Sequence, residues 1–317
     1  MSYQRIDLSR YIVVSVCFSC NNDCLICMLS GLKDRLPGID FENFKRVITA
    51  IEEDGRFRNL ILSGAEVTTF DELEMYIQFA SSLGWFRKIQ LQTNGRRLSD
   101  KGYLRHLIDL GVNEFFLSIH GREEIHDAIT RRTGSFRETM AALRNLEALD
   151  VNVITNTVLT KANFYDVLPL MGQLTQGEVS ELHLWNFFPM ERRDSRDLVV
   201  SLRSLLALLP SLLAVVRAAE KPLVLKSFPE CLSTGEPAFL DSRFPVTVLP
   251  DLFWKKFGDS GFGSCIYRDR GECRSKSCWG LSRAYLDKYG EEADLLRPIA
   301  SPADLSPRGE GKEGGLF

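Results

Sequence analysis

Through its first 190 residues this chain alternates short runs of Val, Ile, Leu and Phe with segments of helical period. That alternation leaves few folds open. The runs cover 11–17, 59–63, 88–93, 114–119, 152–158 and 181–187, each apolar enough for a strand buried on both faces. Between them, 41–53 puts Phe41, Phe44, Val47, Ile48 and Ile51 on one helical face, and 100–110 reads as a helix stopped by Gly111. Thr69-Phe70-Asp71-Glu72 and Ser135-Phe136-Arg137-Glu138 read as capping boxes. Strands separated by helices require parallel crossovers, so an open doubly wound sheet or a barrel is expected. The barrel-like form is favoured because the polar motifs fall at or just past strand C-termini, where parallel α/β folds bind ligands.

Beyond residue 190 the pattern changes. Residues 198–219 read as a helix with Pro210 as its candidate break, 228–280 as largely irregular, and 282–289 as a short helix. The expected division is a core over 1–190, an extension over 191–298 and a disordered tail over 299–317. A net charge of −3 provides no basic footprint, so nucleic acid is not an expected partner. The apolar stretch 205–216 contains a proline and is too short to span a bilayer. The opening residues lack a signal-peptide core, so no membrane and a cytoplasmic location are expected.

Eight cysteines without a secretory signal argue for metal or redox chemistry rather than a disulfide framework. They fall into two groups, Cys17 to Cys27 and Cys231 to Cys278, with none between. Cys20, Cys24 and Cys27 stand as C-x3-C-x2-C in the loop after the first strand. Three thiolates leave a fourth metal coordination position open, the mark of a reactive rather than a structural centre. A zinc knuckle is the alternative. Cys17 falls on the strand itself and is expected to be a buried structural thiol.

This triad, with the motifs that follow it in order, resembles the radical S-adenosylmethionine (SAM) superfamily, whose core is a partial (β/α)6 TIM-like barrel. The resemblance implies that Cys20, Cys24 and Cys27 ligate a [4Fe–4S] cluster whose fourth iron is chelated by SAM. One electron would then split SAM into methionine and a 5′-deoxyadenosyl radical that abstracts a substrate hydrogen. Ser63-Gly64-Ala65-Glu66 resembles the family's Gly-Gly-Glu segment, implying that Gly64, Ala65 and Glu66 meet the SAM amino group, with Ala65 and Val67 departing from the usual Gly and Pro. Thr93, Asn94 and Gly95 resemble a strand-end motif that shapes the SAM pocket, and Ser118 and Asn156 are candidates for the SAM ribose or carboxylate. Arg131, in the run 126–136, is the candidate guanidinium for the SAM carboxylate, with Arg132 as the neighbouring choice. His120 and His126 are assigned no catalytic role, and no catalytic acid or base is assigned.

Cys231, Cys265, Cys273 and Cys278 resemble the SPASM- or twitch-like extensions that follow this core. The resemblance implies an auxiliary [4Fe–4S] cluster on four cysteines, with a three-cysteine cluster or a structural zinc as alternatives; Gly280 would let the chain turn around it. The implied activity is maturation of a peptide through a thioether or carbon–carbon crosslink or a related oxidation. The runner-up is dehydrogenation or rearrangement of a small molecule such as a sugar, nucleoside or amino acid. A cluster-bearing accessory protein is the non-enzyme alternative. The implied partners are a peptide or small-molecule substrate and a reductant such as flavodoxin or ferredoxin. Only about ten residues precede the first strand. No leader-peptide-binding or cobalamin-binding domain is therefore expected, and a peptide substrate would call for a separate recognition protein. Trp185, Phe187, Phe188, Trp254 and Trp279 are candidates to line a pocket, with core packing as the default expectation.

Overall fold

The computed structural model describes residues 7–232 and 239–300. Among the described residues eight strands form one all-parallel sheet: β1 (Tyr11–Cys17), β2 (Asn59–Gly64), β3 (Lys88–Thr93), β4 (Glu114–Ser118), β5 (Asn152–Leu159), β6 (Glu181–Asn186), β7 (Leu223–Lys226) and β8 (Val246–Val248). Their order is β7-β6-β5-β4-β3-β2-β1-β8. The first six match the runs read from the sequence to within a residue at either end. The extension is less irregular than expected, because its β7 and β8 add one strand to each edge of the sheet.

Helices α1 (Phe41–Asp54), α2 (Leu73–Ser82), α3 (Lys101–Asp109), α4 (Glu123–Thr130), α5 (Ser135–Glu147) and α6 (Val167–Leu174) are threaded between the first six strands. Then follow α7 (Leu202–Ala218), α8 (Asp251–Asp259), α9 (Ile266–Asp269) and α10 (Arg283–Tyr289). Strand residues of one parity, among them Val14, Leu62, Leu91, Leu117 and Leu184, join Phe44, Tyr76, Leu107 and Leu143 in the main core between sheet and helices. The other parity carries Tyr11, Val13, Ser15, Gln90, Phe116 and His183, which face a single cavity of 590 Å³. Residues from both edge strands, Val224 and Val246, line that same cavity, so the sheet curls around it as a half-barrel.

Three local expectations are corrected. Thr69 does not cap α2; its hydroxyl donates to the Glu66 carbonyl at 2.8 Å inside a 3-10 turn, and Glu72 is the N-cap. Ser135 is the first residue of α5 rather than its cap. Asp127 does the capping, its carboxylate accepting from the backbone N–H of Gly134 at 2.6 Å and of Phe136 at 2.8 Å. Helix α7 runs unbroken through Pro210. Of the tail expected to be disordered, residues from Ser301 onward lie outside the described residues, while its first residue, Ile299, is buried, which corrects that boundary. Among the described residues no helix is long and apolar enough to cross a membrane.

Candidate functional site

The loop that leaves β1 carries Cys20, Cys24 and Cys27 over the C-terminal end of the half-barrel, and its backbone is tied down on several sides. Its entry is held to the segment after β2: Ala65 N–H donates to the Cys17 carbonyl at 2.9 Å and Glu66 N–H to the Ser19 carbonyl at 3.0 Å. Its middle is held to the end of α4 through Asp23 N–H to Thr130 O (3.1 Å) and Leu25 N–H to Ile129 O (2.8 Å). Ile26 packs there on Ile129 and Leu198. Arg96 reaches in from after β3, its Nη1 donating to Asn21 O at 2.8 Å and to Asn22 Oδ1 at 2.9 Å while Nε pairs with Glu138. Lys33 Nζ donates to Asn22 O at 3.2 Å and Lys256 Nζ to Ser30 O at 2.6 Å. Arg96, Lys33 and Lys256 were not read as site residues. The only local signal was the Arg that follows Asn94-Gly95, a glycine at φ +77° that turns the chain towards the loop.

Glu66 is fully buried, and its carboxylate is committed to the protein. Oε1 accepts from Thr68 N (3.1 Å), Thr68 Oγ1 (2.6 Å) and Thr93 Oγ1 (2.5 Å), and Oε2 accepts from Asn94 N (2.6 Å). Burial pushes its pKa up, and these four donors pull the other way. Asn94 continues the chain of contacts, its Nδ2 donating to Asn21 Oδ1 at 2.7 Å. Thr93, Asn94 and Glu66 therefore couple the ends of β2 and β3 to the cysteine loop. Gly64 is required sterically: at φ +143° a Cβ would lie 2.0 Å from the Cys17 carbonyl oxygen. Cys17 is buried, its thiol set 3.6 Å from the Glu66 carbonyl, and burial pushes its pKa up to about 12.

Arg131, left-handed at the end of α4, extends to Asp23 of the cysteine loop at 3.2 Å. Ser118 and Asn156 pair across β4 and β5, and the buried Asn156 Oδ1 has no hydrogen-bond partner among the described residues. That orphaned acceptor beside the strand ends fits a ligand carrying donors. His120 and His126 stack with ring centroids 5.9 Å apart, and the His120 N–H donates to His126 Nδ1 at 3.1 Å. Burial lowers their pKa values to about 3 and about 4, which keeps both rings neutral.

The three thiols suit a soft, electron-rich centre. Burial is the main cause raising the pKa of Cys20 and of Cys24, the latter to about 12 with Cys27 and Cys20 adding to it. Bound iron reverses that logic by coordinating the thiolate. The Asn22 N–H donates to Cys20 Sγ at 3.4 Å. Among the described residues no group of three or more His, Cys, Asp or Glu side chains is arranged to hold a single metal ion.

The second cysteine set comes together around one cavity of 90 Å³, lined by Cys231, Cys265, Cys273 and Cys278. Burial pushes Cys231 up to about 12, with Cys278, Cys265 and Cys273 contributing. Cys278 Sγ accepts from the N–H groups of Glu230 at 3.5 Å and Gly280 at 3.3 Å. Gly280, at φ +66°, lies where a Cβ would meet the Ser264 carbonyl oxygen at 2.7 Å. Trp279, one residue on from Cys278, faces the barrel lumen and packs on Phe244 (4.3 Å between ring centroids) and Phe262 (4.8 Å). Trp185, Phe187, Phe188 and Trp254 line the lumen with it; Phe187 also packs against the core as expected, whereas the other four rings belong to no buried core cluster among the described residues.

A parallel half-barrel with three free thiols on the loop at its mouth defines an α/β protein with soft-ligand chemistry at the strand C-termini. The model of the Radical SAM superfamily matches residues 14–170, and the chain belongs to that superfamily. It is 26% identical over 157 residues to the sporulation killing factor maturation protein SkfB of Bacillus subtilis, a match covering 49% of this chain and 37% of SkfB. It is 26% identical over 170 residues to an AdoMet-dependent heme synthase of Oleidesulfovibrio alaskensis, covering 52% and 43%. The chain thus matches less than half the length of these curated relatives. Among solved structures, Streptococcus suis SuiB bound to the precursor peptide SuiA aligns with a TM-score of 0.57 at 14% identity, covering 68% of this chain and 48% of that one. Native anSMEcpe with bound AdoMet aligns with a TM-score of 0.56 at 16% identity, covering 68% and 63%. At such identities the likeness is one of fold.

Proposed function

We infer that this protein is a radical SAM enzyme that matures a peptide substrate. The observation that carries the reading is the placement of three free thiols on a loop that is fixed from several sides and whose Ile26, Met28 and Leu29 line the 590 Å³ lumen. Cys20, Cys24 and Cys27 would hold the [4Fe–4S] cluster, leaving one iron for SAM. When bound, cluster and SAM together supply the reductive cleavage that generates a 5′-deoxyadenosyl radical.

The chain's own part is placement and shielding. Arg96, Lys33 and the end of α4 fix the loop, Glu66 fixes the two strand ends beneath it, and Gly64 lets β1 and β2 approach closely. Asn156 offers its orphaned carbonyl oxygen to a donor on SAM. The aromatic wall of the lumen excludes water, which would otherwise quench a radical. Cys231, Cys265, Cys273 and Cys278 suit a second [4Fe–4S] cluster, since four thiols around one cavity make a closed soft-ligand set.

The peptide reading draws on SkfB, named a maturation protein, and on SuiB, solved with a precursor peptide. The heme synthase relative favours small-molecule chemistry as the second reading. Release of 5′-deoxyadenosine by the anaerobically reconstituted chain with SAM and a strong reductant tests the proposal. The expected result is release by the wild type and none by the Cys20/Cys24/Cys27→Ala variant. Equal release by both, or none by a wild type loaded with iron, overturns it.

A further inference from the structure

The lumen carries buried polar chemistry that radical generation at its mouth does not use. Glu181 opens the six-residue β6, which places it ~16 Å below the strand's C-terminal end. It is 2% exposed, lines the cavity, and lies in register with Ile154 of β5. Its Oε1 pairs with His183 Nε2, while its Oε2 is buried with no partner among the described residues. His183 Nδ1 accepts from the Trp185 indole N–H at 3.5 Å, which places the ring proton on Nε2 and makes Glu181 the acceptor.

Gln90, 3% exposed and also lining the cavity, repeats the pattern. Its Nε2 donates to Glu114 Oε1 at 2.8 Å, an assignment fixed by chemistry because a carboxylate cannot donate. Its Oε1 is then a second buried acceptor without a partner among the described residues. Other charges around the lumen are engaged: Lys88 with Glu114, Lys226 with Asp241 at 3.9 Å, and Arg243 with Asp241 at 3.0 Å. Among the described residues, Glu181 Oε2 and Gln90 Oε1 are the buried acceptors of the lumen wall without a partner, set in largely apolar and aromatic surface. A molecule that satisfies them must bring donors, and a carboxylate selects a cationic donor over a neutral one.

We propose that Glu181, supported by Gln90, receives a positively charged side chain of the substrate, an ammonium or guanidinium on an apolar stem that lies along Phe116 and Trp185. This assignment rests on the reading of the lumen as the substrate chamber.

Calorimetry on the reconstituted full chain with SAM tests it, using N-acetyl-lysine N-methylamide, its arginine counterpart and N-acetyl-norleucine N-methylamide as probes. The wild type is expected to bind the lysine or arginine probe about tenfold or more tightly than the norleucine probe, the factor a charge-assisted hydrogen bond confers. Glu181→Gln, folded by circular dichroism, is expected to lose that preference. The norleucine comparison needs no variant, so the proposal stays exposed even if Glu181→Gln fails to fold. Equal binding of the three probes, preference unchanged in Glu181→Gln, or no saturable binding at millimolar probe overturns it. The same preparation is assayed for 5′-deoxyadenosine. Release without side-chain preference sinks the Glu181 assignment alone, and preference without release sinks the radical reading alone.

Discussion

Gly64 sits across from Cys17 so closely that a Cβ on it would lie 2.0 Å from the Cys17 carbonyl oxygen. The β1–β2 register shifts just there, between Ser15 and Cys17, and the cysteine loop begins three residues on. Gly64→Ala meets both a backbone clash and a left-handed φ of +143°, and nothing at the clash is a flexible side-chain end. It is expected to destabilise the fold by ~3 kcal/mol or more. Urea unfolding followed by circular dichroism checks this; a midpoint unchanged from wild type contradicts it.

Arg96 is the main side-chain tie on the cysteine loop. Arg96→Ala removes donors to Asn21 O and Asn22 Oδ1 together with the Glu138 pair, and Lys cannot reproduce the planar fork. Both variants are expected to lose iron faster from the Cys20 set on gel filtration, Ala more than Lys, while the Cys231 set keeps its iron. Iron retention equal to wild type in Arg96→Ala would show that the backbone ties suffice.

Glu66 gathers four donors on two oxygens. In Glu66→Gln one oxygen becomes an NH2, which must face a donor, either the Asn94 N–H or the group set around Oε1. A loss of ~1–3 kcal/mol is expected from that buried mismatch. A stability within a few tenths of a kcal/mol of wild type, read from urea midpoints, contradicts the network.

Much of this fold was legible because buried parallel strands are short apolar runs bounded by turns, and six of them stood out. The edge strands did not: Leu223–Lys226 has four residues and Val246–Val248 three, too few for any period. Both capping boxes were misread, because Thr69 turned its hydroxyl back to Glu66 and Asp127, from the preceding helix, took over the cap of α5. The cysteines were visible as two groups, yet only the folded chain brings Cys231 and Cys265 to one cavity across 33 intervening residues, 232 to 264. The lumen acceptors were hidden in plain strands. Gln90 and Glu181 break apolar alternation on the inward parity, a signal that gains meaning once the sheet is known to curl.

His120 and His126 are buried and neutral, with pKa values lowered to about 3 and about 4. In the unfolded chain they take up protons below ~6.5 while the folded chain does not, so stability falls as pH drops through that value and levels off only below the folded values, about 4 for His126 and about 3 for His120. The pair is expected to cost on the order of 4 kcal/mol between pH 7 and pH 5. His126→Gln should remove about half of that slope. Urea midpoints at the two pH values measure it, and a wild-type stability that is flat over this range contradicts the burial account.

We propose that the two separate cysteine sets each hold a cluster and that only the first meets SAM. Anaerobic iron and sulfide content, with EPR before and after SAM, tests it most directly on wild type, Cys20/Cys24/Cys27→Ala and Cys231/Cys265/Cys273/Cys278→Ala. About eight irons are expected in the wild type and about four in each variant. SAM should perturb the EPR signal of the second variant and leave that of the first unchanged. A first variant that keeps all the wild-type iron, or a reconstituted wild type that holds almost none, would contradict it.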